Sequence, residues 1–244
     1  MNLKLSSLLL LIIITALSGC AAKDKVYDDN AEGEYAHAKA FVQSGDYAVA
    51  GDKLKKFSAD HPYSKHAIQS ELLRIYAAYK GKEFILSETM SKRFIDRHPK
   101  HENVDYAKYM LAMSYFEQRT SAEKDISMYK FSIDAFKALL KEHPESTYAK
   151  SGQRHLRSLF NALAVHELVV GKYYFEHDRF VASANRFQDL VRLYQTTPSI
   201  EEALYYLSAS YAKMGLKRDA RQTAMILRHN HPNSPWSSKA KRFL

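Results

Sequence analysis

Apolar and polar positions along the chain fall into short helical periods that break at regular intervals. The stretch Ala38-x-x-Phe41-x-x-x-Gly45-Asp46-Tyr47-x-x-Ala50-x-x-x-Leu54-x-x-Phe57-x-x-x-x-Pro62 shows the unit. Spacings of three and four place each apolar set on one helix face, on either side of Gly45-Asp46. Ala38 and Ala50 are small enough for two helices to approach closely, and Phe41, Tyr47, Leu54 and Phe57 fill the space between them. Gly45 suits the left-handed residue that ends the first helix, and Pro62 stops the second. The pattern predicts a helical hairpin.

The rest of the sequence repeats this unit with variations. After Tyr63-Ser64, which reads as an N-cap, Leu72, Leu73, Ile75, Tyr76 and Tyr79 mark a first helix. Lys80-Gly81-Lys82 is its turn, and a second helix runs from Phe84 to His98-Pro99. A third unit opens near Asn103 with Tyr106, Tyr109, Met110 and Met113, crosses an irregular stretch from Gln118 to Ser127, and ends at His143-Pro144. A helical pattern then runs unbroken to about His177, with Gly171 as its weak point at about 1 kcal/mol. Asp178-Arg179-Phe180 takes the turn role of Gly45-Asp46-Tyr47, and Gln195 stands where a proline is expected. The last unit passes Tyr211, Gly215, Ala220, Ala224 and Leu227 to Pro232. Terminating positions at 62, 99, 144, 195 and 232 lie 37, 45, 51 and 37 residues apart.

Composition agrees with a helical protein. The 244 residues are 46% hydrophobic, with only 8 Gly and 6 Pro, so a sizeable core is available and turn residues are few. Strand-like alternation is scarce. The spacing resembles the tetratricopeptide (TPR) repeat, a helix–turn–helix unit of about 34 residues. That resemblance implies an all-α, right-handed α-solenoid of about five TPR-like hairpins. Ser234 to Leu244, with Trp236 and Phe243, would be the capping helix that solenoid ends require.

The N-terminal segment has a different character. Lys4 precedes an apolar run from Leu5 to Ala16, too short to span a bilayer, which needs about 20 residues. Leu17-Ser18-Gly19-Cys20 follows, and it resembles the bacterial lipobox. Residues 1–19 are therefore read as a cleaved lipoprotein signal peptide. The lone cysteine, Cys20, would carry covalent diacylglycerol and an N-acyl chain, and several acyl chains give a stable anchor. Ala21 after it, with no aspartate to retain the chain at the inner membrane, points to the periplasmic face of the outer membrane of a Gram-negative bacterium. Residues 20–31, with Lys23, Asp24, Lys25, Asp28 and Asp29, read as a polar tether. Repeats one to three would fill 32–144, and repeats four and five with the cap 145–244.

One stretch is more specific than a TPR match: Arg93-Phe94-Ile95-x-x-x-Pro99-x-His101-x-Asn103-Val104-Asp105-Tyr106-x-x-Tyr109-Met110. With the lipobox and five repeats, it resembles the BamD (ComL) family, the lipoprotein subunits of the β-barrel assembly machinery (the Bam complex). The resemblance implies a scaffold for protein insertion into the outer membrane. Its N-terminal repeats would bind unfolded outer-membrane proteins through a client groove at Tyr63, Tyr76, Tyr79, Arg93, Asn103, Asp105, Tyr106 and Tyr109. Its C-terminal repeats would dock the POTRA domains of a BamA-like barrel subunit and small Bam lipoproteins. Asn185-Arg186-Phe187 matches the family's docking arginine, which singles out Arg186, with Asn185, Arg218 and Arg221 beside it.

Charge adds to that picture. The formal net charge is +9. Residues 213–244 hold eight Lys and Arg against the single acidic Asp219. Such an end favours an acidic protein face or lipid phosphates, and an exported chain rarely meets nucleic acid. His61, His98, His143 and His231 each precede a proline at one repeat position, about a helix diameter apart in a stack, which suits helix ends and not shared metal ligation. No His-Glu-x-x-His, phosphate-cradling glycine loop or nucleophile elbow occurs. No enzyme, cofactor or metal is expected. The alternative function is a TPR envelope lipoprotein that serves as adaptor for cell-wall enzymes or the Tol-Pal system.

Overall fold

The computed structural model describes residues 30–244; the expected signal peptide, Cys20 and the tether up to residue 29 lie outside them. Five helical hairpins follow one another. They pair α1 (Ala31–Ser44) with α2 (Tyr47–Asp60), α3 (Ala67–Lys80) with α4 (Phe84–Arg97), and α5 (Val104–Glu117) with α6 (Ser127–Glu142). The fourth joins the long α7 (Ala149–Glu176) to α8 (Phe180–Leu193), and the fifth joins α9 (Ile200–Lys213) to α10 (Lys217–Asn230). A short α11 (Pro235–Ala240) and a 3₁₀ turn (Lys241–Phe243) close the chain against α9 and α10. Among the described residues there is no strand.

Each helix packs on the next in sequence, and first helices also touch across hairpins, α1 on α3, α3 on α5 and α7 on α9. The second helices form no such packed pair among the described residues. The stack therefore curves with the first helices on its inner side.

The turns repeat a single device. Gly45 (φ 90), Lys82 (φ 65), Asp178 (φ 57) and Gly215 (φ 78) each hold a left-handed backbone after a first helix. The next residue's N–H returns to a carbonyl five residues back: Asp46 to Phe41, Glu83 to Ala78, Arg179 to Tyr174 and Leu216 to Tyr211. These are Schellman ends, which satisfy the orphan carbonyls. In the second hairpin the left-handed residue of the Lys80-Gly81-Lys82 turn is Lys82, while Gly81 has φ −73.

Second helices end alike. His61, His98, His143, Tyr194 and His231 are C-caps whose N–H bonds the carbonyl four residues back, at 2.8–2.9 Å. Their carbonyls then accept from the residue three ahead (Ser64, His101, Ser146, Thr197 and Ser234) at 3.1 Å, turning the chain toward the next hairpin. Proline after each histidine fits this turn, because its fixed φ suits the second turn position and no N–H is needed there. Gln195 takes the same place without a proline ring.

Local corrections follow from the caps. Asn30 and Ala31, expected in the tether, open α1, with Asn30 Oδ1 accepting the Gly33 N–H at 2.9 Å. Ser64 does not cap α3; His66 holds the N-cap position and Ser64 Oγ accepts its N–H at 3.2 Å.

Behind the C-caps, Phe57, Phe94, Leu139, Leu190 and Leu227 sit at one position and are essentially fully buried. Three residues earlier come Leu54, Ser91, Phe136, Phe187 and Ala224, also buried. Burying a large side chain of this kind stabilises by about 1.5–3 kcal/mol. Small residues let the helices close up. Ser87 Oγ donates to the Ile75 carbonyl and Ser183 Oγ to the Gly171 carbonyl, while Ser114 and Ser210 meet those serines from the following hairpin at 3.0 and 3.1 Å.

Candidate functional site

The inner side of the first three hairpins carries an open cleft of about 280 Å³. Its floor is one face of α3 (Gln69, Leu72, Leu73 and Tyr76), with Tyr35 of α1 on one flank and Asn103, Tyr106 and Tyr148 on the other. Positions 69, 72, 73 and 76 share a helix face at about 100° per residue, so the lining follows from the helical period. Tyr35 and Leu72 are one 37-residue repeat apart.

Aromatic packing holds these walls. Tyr35 stacks on the His66 ring at 4.4 Å, and Tyr106 and Tyr109 pack on Tyr148 at 5.4 and 5.0 Å. Asp105 Oδ2 accepts the Ser146 hydroxyl at 2.6 Å and fixes the approach to α7 against α5. Burial, followed by the charges of Tyr148 and Tyr76, pushes the Tyr106 hydroxyl above the usual phenol range. The cleft thus offers neutral aromatic faces, hydroxyls and the Asn103 amide, groups suited to stacking and hydrogen bonding along an extended chain.

Of the residues expected in a client groove, Tyr76, Asn103 and Tyr106 line this cleft together. Tyr79 and Tyr109 stand next to it as stitches between hairpins: Tyr79 donates to Glu117 at 3.2 Å, and the Tyr109 and Ser151 hydroxyls meet at 3.1 Å. Asp105 acts behind the wall. Tyr63 projects from the turn before α3, 99% exposed and away from the lining. Arg93 belongs to a different pocket, with Glu71 and Arg74, which lie on the face of α3 opposite to Tyr76. Tyr35, Gln69, Leu72, Leu73 and Tyr148 line the cleft without having been singled out for it by the sequence; the 37-residue repeat relates Tyr35 to Leu72.

The expected docking residues separate into two surfaces. Arg186 on α8 places Nη1 3.2 Å from Glu167 Oε2 of α7; the glutamate is 14% exposed and the arginine 41%. One edge of the guanidinium is held while the rest faces solvent, beside exposed Asn185. Arg218 and Arg221 lie on the outer face of α10 with Lys217, Met225, Ile226 and His229. Arg221 occupies the position that buried Ala184 takes one repeat earlier, so a charge stands where the solenoid would otherwise continue.

The histidine C-caps pair with glutamates rather than with each other. His61 meets Glu34 at 3.2 Å and His231 meets Glu201 at 3.2 Å. Among the described residues no three His, Cys, Asp or Glu side chains converge to hold a metal ion, and no helix is long and apolar enough to cross a membrane.

Comparison with known proteins supplies the family. Residues 27–227 match the YfiO family, described as outer membrane lipoprotein. The outer membrane protein assembly factor BamD of Neisseria meningitidis serogroup A is 31% identical, with 92% of this chain and 91% of that protein aligned. BamD of Rickettsia prowazekii is 30% identical over 99% of this chain and 98% of its own length. In the TPR2AB-domain:pHSP90-complex of yeast Sti1, one chain aligns with a TM-score of 0.45 and 15% identity, over 86% of this chain and 81% of that one. A five-hairpin scaffold with an aromatic cleft at one end and a basic face at the other, aligned over nearly its whole length with BamD assembly factors, belongs to the YfiO family of outer membrane lipoproteins.

Proposed function

We propose that the chain is the lipid-anchored scaffold subunit of the β-barrel assembly machinery, held by acyl chains on Cys20 at the periplasmic face of the outer membrane. Its first three hairpins take extended segments of unfolded outer-membrane proteins into the tyrosine cleft. Its last two hairpins dock the POTRA domains of a BamA-like barrel subunit through Arg186, and small Bam lipoproteins on the basic face of α10. The protein acts by holding partners in register and performs no chemistry on them.

The observation that carries this reading is the cleft between Tyr35, Tyr76, Tyr106 and Tyr148 on the inner side of the stack. Uncharged aromatic faces suit segments that expose alternating apolar side chains and free backbone groups. The test is binding of labelled peptides from outer-membrane β-barrel strands to the purified chain. Tyr76→Ala and Tyr106→Ala should each weaken binding at least several-fold with helical content intact. Full retention by both variants would remove the cleft from client binding. Co-purification from detergent extracts separates the adaptor alternative: a large outer-membrane barrel protein is expected, and a murein enzyme in its place would favour the adaptor.

A further inference from the structure

A second pocket lies on the outer side of the stack, between α2 and α4, with the back of α3 as its floor. It encloses about 200 Å³, and Arg74, Arg93 and Arg97 converge on it with Glu71, Ser58 and Met90. Three guanidinium groups thus share one cavity with one carboxylate.

That carboxylate is already engaged. Glu71 Oε1 accepts from Arg97 at 3.2 Å, and its second oxygen lies 3.7 Å from His98. Arg74 and Arg93 make no hydrogen bond or ion pair with any described residue. Arg74 Nε is shielded from solvent and has no acceptor. Burial, and after it the neighbouring Arg93 charge, push the Arg74 guanidinium below its ordinary pKa, against the opposing charges of Asp52, Glu71 and Glu83. A shielded donor without an acceptor carries a desolvation cost, and the neighbouring Arg93 charge adds repulsion to it.

We propose that this pocket is an oxyanion site for a phosphate group, gripped by the forks of Arg74 and Arg93, with Arg97 at its edge. The charge balance selects the class. Three arginines and one glutamate line the cavity, with Asp52 and Glu83 acting on Arg74 from beyond it, and this arginine-rich lining favours a phosphate monoester, which carries about two negative charges at neutral pH. The planar forks fit phosphate oxygens bidentately. The cavity has room for a substituent on the phosphate, with Met90 against its apolar part. A soluble phosphate monoester and the headgroup of phosphatidic acid present the same chemistry to these residues. The site is separate from the tyrosine cleft and does not depend on the client reading.

Calorimetric titration of the full chain with inorganic phosphate at low salt, with chloride-matched controls, tests the proposal. One saturable site is expected, weakened at least tenfold by Arg74→Gln and by Arg93→Gln, and unchanged by Arg218→Gln on the separate basic face. Circular dichroism monitors folding. If Arg74→Gln does not fold, the exposed Arg93 variant decides alone. Glycerol 3-phosphate and vesicles containing phosphatidic acid distinguish the sources: competition by both identifies a lipid headgroup, and competition by the soluble ester alone identifies a free one. No saturable phosphate binding, binding undiminished in the Arg93 variant, or acetate binding as tightly as phosphate would each overturn the assignment.

Discussion

Gly171 lies against the ring of Phe187, and a Cβ built on the glycine would come within 2.7 Å of Phe187 Cε1. Phe187 is fully buried and cannot turn aside. The glycine that looks like a flaw in a long helix is where the backbone of α7 packs against a ring from α8. Gly171→Ala gains about 1 kcal/mol in helix propensity and meets an overpacking cost of about 1–3 kcal/mol or more. A net loss of stability is expected, read as a lower melting temperature. A higher one would show that the hairpin can spread without cost.

Lys82 makes the opposite case. Its left-handed backbone costs an L-residue roughly 1–2 kcal/mol. Lys82→Gly should stabilise by about 0.5–1 kcal/mol after the added entropy of the unfolded chain is counted. Gly45→Ala and Gly215→Ala should destabilise by a similar amount. Thermal melts of the three variants check the signs together.

Ser91 is fully buried and its hydroxyl has no partner. Its counterparts in other hairpins are Leu54, Phe136, Phe187 and Ala224. Removal of an unsatisfied buried hydroxyl recovers about 1–3 kcal/mol of desolvation. Ser91→Ala is therefore expected to raise the melting temperature, and equal or lower stability would mean that the hydroxyl finds an acceptor.

His155 on α7 packs face to face on Phe136 at 5.6 Å and edge-on to Phe116 at 4.6 Å. Burial first, and then Arg154, lower its pKa from the ordinary 6.5. The unfolded chain therefore takes up the proton more readily. This contribution to stability is fully present above pH 6.5 and is lost as pH falls through 6.5 toward the folded value. Stability measured from pH 8 to 5 should fall more steeply in the native chain than in His155→Gln.

Arg186→Glu should weaken association with a POTRA-bearing partner and leave helical content unchanged. The reversal sets two carboxylates together at Glu167, so a small loss of stability is also expected. Arg186→Ala separates the effects, because it removes the docking charge without the repulsion. Undiminished association in both variants would take Arg186 out of the docking role.

The five hairpins could be read from the sequence because each break carries its own chemistry: a left-handed turn after the first helix, and a histidine or tyrosine C-cap after the second. What escaped was pairing between distant positions. Gly171 read as a weak point because its partner, Phe187, sits on another helix. Lys80-Gly81-Lys82 read as a turn, but which of its residues is left-handed is set by the Schellman register, which falls on Lys82. Arg93 read as part of the groove because it is close in sequence to Asn103 and Tyr106, yet the helical period of α4 sends it to the other side of α3. Tyr35 and Tyr148 come from hairpins on either side of α3, and only the stacking brings them to opposite flanks of one cleft.

The length of α7 has a mechanical consequence. Tyr148, just before its first turn, forms a wall of the tyrosine cleft, and Glu167, about 28 Å further along at 1.5 Å per residue, restrains Arg186. One stiff rod reaches from the tyrosine cleft to the surface that carries Arg186. Whatever tilts that rod at one end must displace the other, so the two halves of the scaffold share a single lever.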